Sequence, residues 1–394
     1  LTLRRYIMNN TSYVSRLRKF IAPEFIFGNK ARLFIDQYVR NFCGRKVFIV
    51  TDDGLINAGW SPSIIRITEQ AGAAGVLFKD LTPNPKCEEV MHGAEIYVSE
   101  KCDIIIAVGG GSVIDCAKGI GIVAANGGNI KDYEGIDQIY TPIPPIICIP
   151  STAGTSADVS QFAIITDVQE KRKFAIISKA VVPDISLIDP EVTYTMDKAL
   201  TSHTGSDALV HAIEAYASKF SSPITDLHAI RAIEIIVKTL PRVVHNLSDP
   251  LLREQMMLAS LHAGLAFSNA SLGLVHAMAH VLGGTKDLPH GECNAILLRY
   301  VIEYNYDSAP LRYETIGKAL GCESSHPSRK DVCEMILCFM QNLGIKPNFD
   351  AGIITPEEIP ALAEKTLKDP CILTNPVMPS KEDIEALYGK AFAI

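Results

Sequence analysis

The apolar residues of this chain change their period once, near residue 190, and that change limits the fold more than any other feature. Before it, short β-branched runs alternate with polar turns. KVFIV (46–50) leads into TDDG, and CDIIIAVGGG (102–111) and PIICIPSTAGTS (145–156) repeat the pattern. Unbroken apolar runs of this length read as strands buried on both faces. Each ends in Gly, Ser, Thr or Asp, the chemistry of a loop at the carboxyl edge of an open sheet, where ligands bind. AIIT (163–166) followed by QEKRKFAII (169–177) reads as a hairpin, and VVPDISLIDPEVTYTM (181–196) as a strand leaving for a second domain.

After the change, SDALVHAIEAYAS (206–218), DLHAIRAIEIIVKTLPRVVHN (226–246) and LLREQMMLASLHAGLAFS (251–268) carry apolar residues at three- and four-residue spacing, the helical period. TPEEIPALAEKTL (355–367) adds Thr355 as N-cap, Pro356 at the first helical position and Glu358 to close a capping box. The expected organisation is an α/β domain over residues 1–192 and an all-α domain over 193–394. At 394 residues the chain exceeds the size at which one hydrophobic core stops growing, which agrees with two domains.

A net charge of −7, from 44 acidic and 37 basic residues, leaves no positive excess for nucleic acid, so a small-molecule partner is expected. Ten cysteines are scattered with no CxxC pair, and Cys148 in PIICIP and Cys338 in MILCFM sit in apolar runs. Buried free thiols in a reducing compartment fit this better than bridges. No segment reaches the roughly 18 apolar residues of a spanning helix. LTLRRYIMNNTSYVSRLRKF (1–20) lacks an apolar core ahead of a small-residue cleavage site. The reading is a cytoplasmic protein with no membrane partner.

VGGGSVIDCAKGI (108–120) places three glycines directly after a strand, where backbone can approach a ligand closely, and Ser112 through Asp115 can open a helix whose free N–H groups attract phosphate. The run is not GxGxxG, and a tight turn has the same composition. Asp52 stands past KVFIVT, where a carboxylate can bind a ribose hydroxyl and repel a 2′-phosphate, favouring NAD; a helix-capping aspartate is the alternative. STAGTSADVS (151–160) offers Ser151, Thr152 and Thr155 as donors to phosphate or to the nicotinamide amide, or is an ordinary polar loop.

GLVHAMAHVLGGTKDLPHG (273–291) holds three of the chain's ten histidines. Asp207 and His211 in GSDALVHAIEAY lie four apart, one helical turn on one face, and His276 and His280 repeat that spacing. His290 follows across a Gly-Gly turn and Pro289. One carboxylate and three imidazoles, from Asp207, His211, His276 and His290, form a borderline donor set suited to a divalent transition ion. The alternative is a group of hydrogen-bonded core or surface histidines, and metal-dependent hydrolases use similar donors.

TPNP (82–85), GGGSVIDCAK (109–118), PSTAGTSADV (150–159), GSDALVHAIEAY (205–216) and GLVHAMAH with PHG run in the order of the motifs of the iron-containing, group III alcohol dehydrogenases. The chain resembles that family over essentially its whole length. The resemblance implies a Rossmann-like N-terminal domain and an all-α C-terminal domain in a dehydroquinate synthase-like two-domain architecture, with a cleft between them. It assigns iron(II), with zinc(II) as the other candidate, to Asp207, His211, His276 and His290. It assigns NAD to Asp52, Asn84, Gly110, Gly111, Ser112, Thr152 and Thr155. His280, the non-ligating histidine of the signature, is the catalytic candidate, beside nicotinamide and substrate. A homo-oligomer is also implied. Asp158 stands where glutamate is commoner and Cys116 where threonine is more usual, and neither removes an implied ligand.

The implied activity is NAD-dependent interconversion of primary alcohols or diols with aldehydes. The ion holds the alcohol oxygen while hydride passes to nicotinamide. His280 would relay or stabilise the proton, or only support the site. Phe162, near the hydroxyl-rich loop, is a candidate pocket wall. Three other readings stand beside this one: a glycerol-type polyol dehydrogenase on the same plan, a metal-dependent hydrolase, which would not need the loops at 52, 109–112 and 151–155, and a metal or nucleotide sensor, for which no DNA-binding motif is present.

Overall fold

The computed structural model describes residues 19–394; the N-terminal segment read above lies outside them except for Lys19 and Phe20. The main sheet has six parallel strands: β1 (Glu24–Phe27), β2 (Lys46–Val50), β3 (Ala74–Phe78), β4 (Ile104–Gly109), β6 (Ile146–Pro150) and β9 (Ile185–Ile188). Their order is β1-β9-β6-β4-β2-β3. Helices α1 (Ile35–Asn41), α2 (Asp53–Asn57), α3 (Trp60–Gln70), α4 (Cys87–Ser99) and α5 (Gly111–Asn126) connect them. Alternate residues of each central strand serve opposite cores. Phe48, Val50, Ile105, Ala107, Ile146 and Cys148 pack on one face, and Val47, Ile49, Ile104, Ile106, Ile147 and Ile149 on the other. Cover on both faces is why these strands read as unbroken apolar runs.

The chain runs from β2 out to β3 and then back past β2 to β4. The winding therefore reverses between β2 and β4, and the crevice at their carboxyl ends is where an open sheet of this kind binds ligands. Thr51 ties the two strands there, its hydroxyl donating to the Val108 carbonyl at 2.9 Å.

A second sheet joins β5 (Gly135–Ile136), β8 (Arg172–Ile177) and β7 (Phe162–Asp167), in that order. β7 and β8 are the expected hairpin, antiparallel from Phe162 opposite Ile177 to Asp167 opposite Arg172. β9 joins the main sheet between β6 and β1 before the chain passes through a 3-10 segment, Pro190–Thr195, into the helices.

The helical half contains α6 (Lys198–Ala217), α7 (Pro223–His245), α8 (Pro250–Ala270), α9 (Leu274–Lys286), α10 (His290–Asn305), α11 (Pro310–Ala319), α12 (Arg329–Asn342), α13 (Ile359–Thr366) and α14 (Lys381–Phe392). One hydrophobic cluster runs through all of it. The capping box at Thr355 and Glu358 is present, but the chain makes a 3-10 turn, Pro356–Glu358, before α13 begins. The halves meet where Ser156 donates to the Ser260 carbonyl at 2.6 Å.

Two expectations need correction. Gly283 and Gly284 do not form a turn; they lie inside α9, and the chain reverses instead at Asp287, in the left-handed region with φ 53°. The glycines are there for packing: a Cβ on Gly284 would stand 2.9 Å from the Arg172 Cα of β8. Cys338 is exposed on α12 rather than buried, whereas Cys148 is buried as expected, and all ten cysteines are unpaired. No single helix among the described residues is long and apolar enough to cross a membrane.

Candidate functional site

Helices α6 and α9 and the first residue of α10 bring the predicted cluster together. Oδ1 of Asp207 lies 3.7 Å from Nε2 of His276 and 3.8 Å from Nε2 of His290, and its Oδ2 lies 3.8 Å from Nε2 of His211. Asp207, His276 and His290 form a compact group able to hold a metal ion. His211 joins it through Asp207 and by stacking on His276, ring centroids 4.6 Å apart. Asn294, one turn along α10 from His290, donates its amide to Asp207 at 2.7 Å and stands 3.1 Å from Nε2 of both His276 and His290.

The electrostatics follow from burial. Desolvation alone would raise the Asp207 carboxyl, but the imidazoles of His211, His290 and His276 outweigh it and hold that carboxyl well below the usual range. Burial pushes His211 down to about 4 against the pull of Asp207, and pushes His290 well below its ordinary value. Burial also opposes charge on His276, yet the Asp207 carboxylate 3.7 Å away and the hydrogen-bonded Glu214 raise it to about 9. Glu214 accepts from His276 Nδ1 at 2.6 Å and from the N–H groups of Val275 and Gly273 at 2.7 and 3.0 Å. A neutral His276 thus carries its proton on Nδ1 and turns the Nε2 lone pair toward Asp207. Imidazole lone pairs and a carboxylate converge with one amide as their donor, a polarity that a divalent cation satisfies.

His280 faces the same cleft without entering that group. Its Nδ1 lies 2.8 Å from Asp369, and its ring stacks on His290 with centroids 5.4 Å apart. Asp369 in turn accepts from the Cys371 N–H at 2.8 Å, and His280 offsets its burial so that its carboxyl sits below the ordinary value.

The sheet edge supplies the opposite wall. α5 starts at Gly111 with Gly110 as N-cap. A Cβ on Gly111 would lie 2.9 Å from the Thr155 side chain, so glycine is required there by close approach. A Cβ on Gly110 would lie 3.1 Å from the Thr152 methyl. Asn84, left-handed at φ 60°, receives the Lys173 ammonium at 2.7 Å and donates to Asp287 of the helical half at 3.0 Å. Asp52 caps α2, its Oδ1 accepting from Leu55 N–H at 2.9 Å, which is the alternative role foreseen for it.

One cavity of about 140 Å³ is lined from one side by Asn84, Gly111, Ser112 and Thr155 and from the other by Asp207, His211, His276, His280 and His290. Phe162 and Phe267 also line it. Gly110, Thr152 and Asp52 stand at the same sheet edge outside that lining. Sequence reasoning missed Glu214, Asn294, Asp369 and Lys173. Asn294 had a signal, since it lies four residues after His290, the spacing already used for Asp207 and His211.

The model for the Fe-containing alcohol dehydrogenase family, C-terminal, matches residues 201–392, and that for iron-containing alcohol dehydrogenase matches residues 22–190. The chain is 39% identical to alcohol dehydrogenase 4 of Schizosaccharomyces pombe, covering 94% of this chain and 88% of that one. It is 37% identical to 1,3-propanediol dehydrogenase of Klebsiella pneumoniae, covering 96% and 99%. The solved alcohol dehydrogenase of Oenococcus oeni superposes with a TM-score of 0.92 at 35% identity, covering 95% and 100%. With a parallel-sheet domain, a helical domain and the histidine cluster between them, the chain belongs to the iron-containing alcohol dehydrogenase family.

Proposed function

We propose that this protein interconverts primary alcohols or diols with aldehydes, using NAD and a divalent metal ion. The observation that carries this reading is the buried Asp207 carboxylate, with imidazole nitrogens 3.7 to 3.8 Å away, in a cavity whose other wall is the glycine turn and Thr155. Asp207, His211, His276 and His290 would hold the ion, iron(II) by the family's character, with zinc(II) accepted by the same donors. Asp52, Asn84, Gly110, Gly111, Ser112, Thr152 and Thr155 would hold NAD, with Lys173 beside Asn84 adding positive charge. Bound there, the ion supplies the charge that stabilises an alkoxide and nicotinamide supplies the hydride acceptor.

The chain's own residues prepare that chemistry. Glu214 keeps the His276 proton on Nδ1, and Asp369 orients His280 so that its Nε2 is free to hold or pass the hydroxyl proton. Phe162 and Phe267 shield the cavity from water. The same reading includes the dehydroquinate synthase-like two-domain plan divided between residues 192 and 193, a homo-oligomer, and a cytoplasmic setting in keeping with ten unpaired cysteines.

The test is a nicotinamide absorbance assay over ethanol, butanol, 1,2- and 1,3-propanediol, glycerol and lactaldehyde, with iron or zinc restored after chelation. Metal-dependent turnover of a primary alcohol or aldehyde is expected. Turnover of glycerol alone would favour the polyol reading, and no turnover with any of them overturns the proposal.

A further inference from the structure

A second cavity, of about 360 Å³, adjoins the one described, and Phe162 lines both. The rest of the partition has the same two-sided build. Phe267 and Leu272 face the inner cavity, while Ser268 and Ser271 between them face the outer one. Cys371 lines the inner cavity, while Pro370 and Leu373 on either side of it line the outer. The start of β7, the turn from α8 to α9 and the 3-10 turn Pro370–Thr374 therefore form the wall between the two.

Size and chemistry separate what each can take. The inner cavity, about 140 Å³, is smaller than the roughly 300–1,000 Å³ typical of small-molecule sites, and a nicotinamide ring would use part of it. The outer cavity, at about 360 Å³, falls within that range. Much of its polar wall is already paired internally. The Gln161 N–H donates to the Ser268 hydroxyl at 3.1 Å and the Gln161 amide to the Ser268 carbonyl; Asn269 exchanges hydrogen bonds with the backbone of Ile21. Apart from the exposed charged residues Lys19 and Asp137, what remains for a ligand is chiefly the apolar surface of Phe162, Ile136, Ile177, Phe220 and Leu373. The Phe162 backbone is fixed, because its carbonyl accepts from Lys118 at 2.7 Å and its strand is paired with β8, so any opening has to come from its ring, which packs on Phe267 with centroids 5.9 Å apart.

We infer that the outer cavity is a tail site for medium-chain aliphatic primary alcohols and their aldehydes, opened when the Phe162 ring turns aside while the carbinol carbon stays in the inner cavity. This rests on the proposed alcohol chemistry of the inner cavity. Short alcohols need only the inner space; a chain of about eight carbons needs both.

Binding and turnover test the two claims separately. Dissociation constants for 1-octanol and 1-propanol are measured by saturation-transfer NMR titration on the wild type, Phe162→Ala and Ile136→Trp. Phe162→Ala, which removes the partition, should raise the preference for 1-octanol over 1-propanol about tenfold. Ile136→Trp, which adds an indole from a strand position 58% exposed, should lower that preference about tenfold and covers the case in which Phe162→Ala fails to fold. An unchanged preference in Ile136→Trp overturns the tail site. The absorbance assay with 1-propanol tests the chemistry: turnover with unmoved preferences removes the tail site alone, whereas shifted preferences with no turnover keep the aliphatic site and remove the alcohol reaction.

Discussion

Glu214 and His276 share a hydrogen bond of 2.6 Å, and the same carboxylate caps the start of α9 through the N–H groups of Gly273 and Val275. One acid thus fixes both the helix that carries His276 and the tautomer of its ring. In Glu214→Gln one oxygen becomes an NH₂, which cannot accept, so the amide cannot serve all of these donors. Loss of such a partner to a metal-ligating histidine typically costs about 10- to 100-fold in metal affinity. Chelator competition on the purified variant should show a loss of that size, and affinity equal to wild type would show that Glu214 supports the helix only.

Asp52 has one observed role and one proposed role that a single substitution can separate. It caps α2 through Oδ1 at 2.9 Å, and it stands at the carboxyl end of β2, where a charge would repel a 2′-phosphate. Asp52→Asn keeps a capping oxygen and removes the charge. Its melting temperature should stay near wild type while the ratio of kcat/KM for NADP to that for NAD rises at least tenfold. An unmoved ratio would leave the cap as this residue's whole contribution.

The central strands and the paired residues on α6 and α9 were legible because their signals are local: unbroken apolar runs for Val47–Val50 and Ile104–Val108, and four-residue spacing for Asp207 with His211 and His276 with His280. The edge strands were not. Ala74–Phe78 exposes most of its length and Glu24–Phe27 is half exposed, so neither needs a full apolar run. The residues that orient the histidines were hidden by distance along the chain, since Glu214 is 62 positions from His276 and Asp369 is 89 from His280. The Gly-Gly pair misled because a glycine that permits close packing and a glycine that permits a turn look identical in sequence.

Asp115 gives the protein a pH dependence of known sign. Burial raises its carboxyl to about 6, against the opposing pull of Lys118 and of the Ile164 N–H. Between roughly pH 4 and 6 the folded state then binds more protons than the unfolded state, so this group's contribution to stability falls as pH rises through that window. A shift of this size amounts to at most about 3 kcal/mol. Asp115→Asn lacks the penalty. Urea unfolding at pH 4.5 and 7.0 should show the variant gaining on the wild type at the higher pH, and a difference that stays constant between the two would show that the carboxyl titrates normally.

Lys118 joins the helix that opens at the glycine turn to the loop that follows Thr155. Its side chain is fully buried, and its ammonium donates to the carbonyls of Ala157, Ser160 and Phe162 at 2.6, 2.9 and 2.7 Å. Lys118→Met fills similar volume but leaves those acceptors without their donor, and each buried acceptor so stranded costs about 1–3 kcal/mol. Even with partial repair by neighbouring groups, a loss of about 3 kcal/mol is expected, read as a lower urea midpoint at constant m. Because the loosened loop carries Thr155 but none of the proposed metal ligands, KM for NAD should rise while bound metal per chain holds. If the midpoint does not move, the Ser156 bond to Ser260 holds the loop by itself, and Lys118 is not what ties that loop to the helix at the glycine turn.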